Sequence, residues 1–133
     1  MIKILMHGCS GRMGRVIAEM VDEHPDISIV AGCDRVAYAA DFPIFESLSA
    51  CTAEADVLVD FSNAAALPNI LAYCGEKKLP AVLCSTGYSE DDLDAIREAA
   101  KRIPLFRSAN MSIGINLLSA LVRRAAEILG EGF

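Results

Sequence analysis

The feature that most constrains this chain is a turn with three glycines, GCSGRMG, at residues 8–14. It follows a strand pattern at residues 2–6 and precedes an amphipathic helix pattern that ends near Pro25. Glycines at positions 8, 11 and 14 let the backbone approach a pyrophosphate, and the following helix N-terminus directs free N–H groups at it. The spacing is G-x-x-G-x-x-G instead of the usual G-x-G-x-x-G, but its place between strand and helix favours a nucleotide-binding turn. The alternative is a turn whose glycines serve only close packing.

Strand and helix patterns alternate along the rest of the chain. The predicted strands are 27–33, 42–45, 57–61, 81–84 and 104–107, and the predicted later helices are 64–78, 89–102 and a last helix ending before Gly130. The last helix carries an apolar stripe made of Leu118, Leu121, Val122, Ala125, Ile128 and Leu129. With 133 residues, this alternation predicts a single α/β domain with a Rossmann-type, doubly wound parallel sheet. Residues 34–55 have the least readable pattern.

Composition narrows the class of partner. Eighteen acidic against twelve basic residues give a net charge of −6, which argues against nucleic acid and acidic membranes as partners. Five cysteines without a C-x-x-C pair and only two histidines argue against a metal site. There is no signal-peptide pattern and no apolar stretch long enough for a membrane span. We therefore expect a cytoplasmic protein that binds neither metal, membrane nor nucleic acid.

An acidic and a basic residue, Asp34 and Arg35, follow the second predicted strand. Asp34 lies twenty residues beyond Gly14, where a carboxylate can accept both hydroxyls of an adenosine ribose, as in NAD sites. A 2′-phosphate would instead need a cation, which the neighbouring Arg35 offers. The alternative is an exposed pair at a strand end. Because the two charges oppose each other, we expect NADH or NADPH as cofactor, with NADH equal or preferred.

Small polar residues follow three later strands, where ligands of open α/β sheets collect. The three clusters are Asp60-Phe61-Ser62, Cys84-Ser85-Thr86-Gly87 and Ser108-Ala109-Asn110-Met111. Hydroxyl and amide groups there suit hydrogen bonds to a ribose or an amide, and helix capping, particularly by Ser62 and Ser112, is the alternative.

Neither histidine is placed for acid–base catalysis. His7 ends the first strand, where a satisfied and partly buried histidine is expected, and His24 ends the first helix, where it complements the helix dipole. We expect both to lie away from the turns at 84–88 and 108–111. Cys84 has no neighbouring base, so we expect no nucleophile and no catalytic residue in this chain.

Five segments together resemble one enzyme family. They are IKILMHGCSGRMG, GCDR, VLVDFS, CSTGYS and SANMSIGIN, in this order and over about residues 2–132. The family is 4-hydroxy-tetrahydrodipicolinate reductase, or dihydrodipicolinate reductase, an NAD(P)H-dependent enzyme of bacterial lysine and diaminopimelate synthesis. The resemblance implies hydride transfer to the dehydrated cyclic imine derived from 4-hydroxy-tetrahydrodipicolinate.

The resemblance also implies which residues hold the cofactor. The family's cofactor loop falls on Gly8, Cys9, Ser10, Gly11, Arg12 and Met13, and its ribose acid on Asp34, with Arg35 at a 2′-phosphate position. The turn near the nicotinamide falls on Cys84, Ser85 and Thr86, and the final cofactor segment on Ser108, Ala109, Asn110 and Met111. Cys84 replaces a frequent glycine and Met111 a common aromatic residue.

The family continues into a second domain whose motifs this sequence lacks. That domain carries a histidine pair, a lysine and an Asp-Ala-Pro-Ser-Gly-Thr run, which bind the small-molecule substrate and handle the proton. We therefore expect residues 1–133 to be the NAD(P)-binding domain, inactive alone, of an enzyme that forms homotetramers through the other domain. The alternatives are the cofactor domain of another two-domain amino-acid dehydrogenase, and a stand-alone nucleotide-sensing or CoA-binding module.

Overall fold

Six strands form one sheet in the computed structural model, which describes residues 1–108 and 110–130. The strands are β1 (Ile2–His7), β2 (Ile27–Cys33), β3 (Ile44–Phe45), β4 (Val57–Asp60), β5 (Ala81–Leu83) and β6 (Leu105–Arg107). The helices are α1 (Arg12–Asp22), α2 (Leu67–Lys77), α3 (Glu90–Ala99) and α4 (Ile113–Leu129), with short 3-10 turns at Leu48–Ala50 and Ala64–Ala66. All strand pairs are parallel and the order is β3-β2-β1-β4-β5-β6, which confirms the predicted Rossmann-type sheet.

Side-chain alternation along the strands builds a core on each face of the sheet. Leu5, Leu58 and Leu83 are fully buried in the larger core, which α2 and α3 cover. Met6 faces the other way, into a smaller core beneath α1. From β1 the chain first builds β2 and β3 on one side and then crosses to β4 on the other. This reversal creates a crevice at the carboxyl ends of β1 and β4, the usual place for ligands in such sheets.

Capping explains where two of the helices begin. The Ser89 hydroxyl accepts the backbone N–H of Asp92, and the Asp92 carboxylate accepts the backbone N–H of Ser89, so α3 begins with a capping box. Ser112 caps α4 by accepting the N–H of Ile115. The capping alternative for Ser62 is wrong, because Asn63 occupies the N-cap position and Ser62 bonds to Asp60 instead.

Helix α4 forms where it was predicted, but none of its residues is buried. Its apolar stripe, including Leu118, Leu121 and Val122, is more than half exposed. Phe106 on β6 is 59% exposed as well. An exposed apolar stripe along a helix is typical of a surface that another protein segment covers. Among the described residues, no helix is long and apolar enough to cross a membrane.

Candidate functional site

A cleft of about 430 Å³ opens at the carboxyl ends of β1, β2 and β4. It brings together the glycine turn and the acidic and basic residues that follow β2, since Gly8, Gly11, Asp34 and Arg35 all line it. His7 and Cys33, the last residues of β1 and β2, line it as well. The other lining residues come from the segments after β3 and β4; they are Glu46, Ser47, Leu48, Phe61, Ser62, Asn63, Ala66 and Asn69. Of these, only Phe61 and Ser62 were anticipated, because residues 34–55 carry no readable pattern.

Two glycines of the turn are required by its packing. Gly8 has a φ of +79°, and a Cβ there would lie 2.8 Å from the backbone of Phe61 and Ser62. A Cβ on Gly14 would lie 2.6 Å from the carbonyl oxygen of Cys9. The turn is therefore folded tightly between α1 and the end of β4. Gly11 stands at the N-cap of α1 and has no side chain to cap the helix, so the first N–H groups of α1 keep their capacity to bind an anion.

The turn is fastened to the end of β2 by hydrogen bonds. The backbone N–H of Ser10 donates to Oδ2 of Asp34 at 3.0 Å, and the Ser10 hydroxyl donates to the carbonyl oxygen of Val36. The side chain of Arg15 donates to the Ser10 carbonyl at 3.1 Å and lies over the ring of Tyr38. Asp34 therefore has a structural role, while each carboxylate oxygen has a second lone pair for a ligand.

The side chains of the predicted loop differ in their access to the cleft. Cys9 is fully buried beneath α1, where burial raises the pKa of its thiol. Only its backbone can therefore face a ligand. Arg12 and Met13, in the first turn of α1, are exposed.

A buried carboxylate joins the ends of three strands. Asp60 is fully buried at the end of β4, and it accepts hydrogen bonds from His7 Nδ1 at 2.8 Å and from Ser85 Oγ at 2.7 Å. It also accepts the backbone N–H and the hydroxyl of Ser62. Burial on its own would raise the pKa of Asp60, but the hydrogen bonds from His7, Ser62 and Ser85 outweigh it and hold the pKa below its ordinary value. The carboxyl is therefore ionised at neutral pH.

This arrangement confirms one prediction about His7 and corrects another. As predicted, the ring is satisfied and partly buried, with 14% of the side chain exposed. The expectation that His7 lies away from residues 84–88 is wrong, because Asp60 bridges it to Ser85. The physical reason is the strand order: β4 lies between β1 and β5, and His7 pairs with Asp60 in the sheet register.

The turn after β5 and the segment after β6 meet at the same edge of the sheet. Cys84 Sγ lies 3.8 Å from Met111 Sδ, and Ser108 donates to the carbonyl oxygen of Asn110 at 2.9 Å. Ser85 is buried and Thr86 exposed, whereas the predicted site residue Ala109 lies outside the described residues. Burial and the charge of Asp60 raise the pKa of Cys84 to about 11. Its thiol is thus protonated at neutral pH.

No group of three or more potential metal-ligating His, Cys, Asp or Glu side chains occurs within residues 1–108 and 110–130. The candidate site consists of a cleft beside the glycine turn and a second group of residues, Cys84 and Met111, after the ends of β5 and β6. The hydrogen-bonded row His7–Asp60–Ser85 connects the two.

Comparison with known proteins identifies the family to which this chain is similar. Residues 2–111 match the family model described as dihydrodipicolinate reductase, N-terminus. A 4-hydroxy-tetrahydrodipicolinate reductase of Caldanaerobacter subterraneus is 47% identical over 133 residues, which are 100% of this chain and 53% of that protein. One from Clostridium botulinum is 48% identical over 129 residues, covering 97% of this chain and 51% of the relative. The chain thus spans about half the length of the curated relatives it matches.

Solved structures support the same fold. Dihydrodipicolinate reductase from Paenisporosarcina, solved with dipicolinate bound, superposes with a TM-score of 0.81 at 20% identity, covering 95% of this chain and 54% of that one. The WlbA dehydrogenase of Bordetella pertussis superposes with a TM-score of 0.67 at 19% identity, over 80% of this chain and 34% of that one. The match over residues 2–111 shows that the chain belongs to the dihydrodipicolinate reductase family and corresponds to its N-terminal part.

Proposed function

We propose that this chain is the dinucleotide-binding domain of a 4-hydroxy-tetrahydrodipicolinate reductase of lysine and diaminopimelate synthesis. The observation that carries the proposal is the convergence of the glycine turn and Asp34 on one cleft. The residues fit a dinucleotide, because the uncapped α1 N-terminus suits a diphosphate and the Asp34 carboxylate suits a ribose diol. When bound, the reduced nicotinamide supplies the hydride for reduction of the cyclic imine.

The residues of this chain would bind and orient the cofactor. The backbone of Gly8, Cys9, Ser10, Gly11, Arg12 and Met13 would hold the diphosphate. Asp34 would accept the adenosine ribose hydroxyls, with Arg35 beside it for a 2′-phosphate. The opposing charges of these two residues support use of both NADH and NADPH, with NADH equal or preferred.

The nicotinamide end would lie at the ends of β5 and β6. Its contacts would be Cys84, Ser85 and Thr86 on one side and Ser108, Ala109, Asn110 and Met111 on the other. The contact between Cys84 and Met111 supports this placement, because two sulfur atoms form a soft apolar wall on which a planar ring can lie. All five cysteines are free thiols, which supports a reducing compartment such as the cytoplasm.

The exposed stripe of α4 supports a second domain. We infer that the second half of the family's proteins covers this stripe, binds the small-molecule substrate, supplies the proton donor and forms the homotetramer. The curated relatives, about twice as long as this chain, are consistent with such an arrangement.

Titration with NADH tests the proposed function directly. We expect binding by calorimetry and a rise in the thermal unfolding midpoint as NADH is added, since a ligand that binds only the folded state stabilises it. CoA, titrated in parallel, tests the CoA-binding alternative; there Asp34 would face the 3′-phosphate unfavourably. Absence of heat and of stabilisation at millimolar NADH would refute the proposed function, and tighter binding of CoA than of NADH would favour the alternative.

A further inference from the structure

In the row His7–Asp60–Ser85, His7 is the residue that also lines the cleft. It precedes Gly8 directly and shares the cleft wall with Gly8 and Gly11. Its Nδ1 lies 2.8 Å from a carboxylate oxygen of the fully buried Asp60. Since Asp60 is ionised and accepts from Nδ1, Nδ1 carries a proton. The other ring nitrogen, Nε2, is then the one left for a ligand.

Asp60 is well suited to hold this ring. It is anchored by Ser85 Oγ and by the backbone and hydroxyl of Ser62, so it is fixed independently of His7. A carboxylate behind a histidine sets the tautomer and the ring orientation, and it favours the doubly protonated ring when an anion faces the other nitrogen. Asp60 is therefore a positioning residue for His7.

The charged groups around the ring are mostly acidic. The strand beside β1 on the other flank presents Cys33 opposite His7, and burial raises the pKa of that thiol to about 12, so it carries no charge. The charged groups lining the cleft are Asp34, Glu46 and Arg35. Together with Asp60 behind the ring, these make three carboxylates and one guanidinium, and an entering diphosphate adds further negative charge. His7 is the lining group that can offset it by taking up a proton.

We propose that His7, held by Asp60, contacts the diphosphate of the dinucleotide through Nε2, and that cofactor binding adds a proton to its ring. The inference rests on the proposed function and adds a residue to the binding site. The diphosphate is chosen over the ribose because His7 directly precedes Gly8 of the glycine turn, whereas Asp34 and Arg35 follow β2. The proton comes from the buffer, and the new N–H of Nε2 donates to a phosphate oxygen.

The test measures proton uptake by calorimetry. NADH is titrated into the chain at about pH 8, where an ordinary histidine is neutral, in buffers that differ in ionisation enthalpy. NADH is the probe because the 2′-phosphate of NADPH would itself take up a proton near pH 6. The slope of heat against buffer enthalpy gives the protons bound. We expect uptake approaching about one proton per NADH, and an affinity that falls by up to about tenfold per pH unit as the pH rises.

Two histidine variants assign the proton. His7→Asn keeps a donor for Asp60 at the position of Nδ1 and removes the titrating ring, so uptake and pH dependence should vanish. His24→Asn is the matched control, because His24 is the only other histidine and lies outside the cleft. It should behave as the wild type. If His7→Asn fails to fold, His24→Asn provides the second measurement, because His7 is then the only histidine in the chain. The NMR signals of its ring should move to those of the doubly protonated form as NADH is added, and unchanged ring signals would overturn the role of His7.

The possible failures are distinguishable. Binding of NADH by the wild type without proton uptake, or uptake that a folded His7→Asn retains, would overturn the role of His7 and leave the proposed function standing. If the wild type binds no NADH under any of these conditions, the proposed function is wrong and the role of His7 is wrong with it.

Discussion

The backbone N–H of Ser10 donates to Oδ2 of Asp34 at 3.0 Å, which joins the glycine turn to the end of β2. The residue that best suits a ribose is thus also a support of the loop that best suits a diphosphate. A substitution of Asp34 removes a charge and an acceptor together. The two effects can be separated, because asparagine retains an acceptor oxygen for Ser10 and lacks the charge.

Cofactor preference should change with the charge at position 34. Asp34→Asn and Asp34→Ala should both shift the ratio of NADH to NADPH affinity toward NADPH, by about 1 kcal/mol or roughly fivefold, since the site is partly exposed. Arg35→Ala should shift it the other way. Only Asp34→Ala should also lower the free energy of unfolding, by about 1 kcal/mol for the lost hydrogen bond. Dissociation constants and urea unfolding measure these effects; a wild-type preference for NADPH beyond about tenfold would contradict the assignment.

Two helical glycines should respond oppositely to alanine. Gly14→Ala places a methyl group against the carbonyl groups of Gly8 and Cys9, so it should destabilise the fold and abolish NADH binding. Gly75→Ala is the matched control, because no atom lies within 4 Å of its added Cβ in α2. It should stabilise the protein by about 0.5–1 kcal/mol through helix propensity. Urea unfolding measures both, and a neutral Gly14→Ala would show that the turn is not packed as described.

Stability should fall in acid partly because of Asp60. Its pKa is lowered in the folded chain relative to an ordinary value of about 3.9, so the unfolded chain takes up the proton first. The contribution of Asp60 to the free energy of unfolding is therefore fully present above its pKa in the unfolded chain. It is lost as the pH falls through its pKa in the folded chain. Urea unfolding across this range should show a shallower acid loss for Asp60→Asn than for the wild type. Asp94→Asn, at an exposed carboxylate paired with Arg97, should keep the wild-type slope.

The Cys84 thiol should react slowly. Because its pKa is raised to about 11, only a small fraction is thiolate near neutral pH. Alkylation by iodoacetamide, followed by mass spectrometry, should show a rate at Cys84 below that of a free cysteine peptide and rising with pH. Fast labelling at neutral pH would mean that the environment of this turn differs from the one described.

Most of the sheet could be predicted from the sequence, because its strands are short apolar runs bounded by turn residues. The glycine turn and Asp34 could be predicted too, since both follow from local chemistry at strand ends. The contact between His7, Asp60 and Ser85 could not. It joins residues 53 and 25 positions apart, and it depends on a strand order that periodicity does not reveal.

Helix α4 shows another limit. Its period correctly predicts an amphipathic helix, but a period identifies only the apolar face and says nothing of what covers that face. The walls at Glu46 and Asn69 were missed for a related reason. Glu46 lies in a stretch without periodicity. Asn69 lies in α2, whose apolar period indicates only the residues that face the core. Nothing in the sequence links the two positions, and only the folded cleft brings them together.

Cofactor binding and catalysis should separate in this chain. Hydride transfer needs the imine held close to the nicotinamide in a reactive orientation, and such positioning supplies much of an enzyme's rate enhancement. Two substrate carboxylates call for cations near the ends of β5 and β6, where the described chain offers Arg107, while Arg123 and Arg124 lie on the exposed α4. NADH oxidation with enzymatically generated substrate should therefore be undetectable for residues 1–133. A chimera that continues into the second half of the Caldanaerobacter relative should regain it, since that relative is 47% identical over the shared half. Both proteins should bind NADH with similar affinity. Turnover by residues 1–133 alone would mean that the substrate site lies within this domain, and His7 would be the first residue to replace.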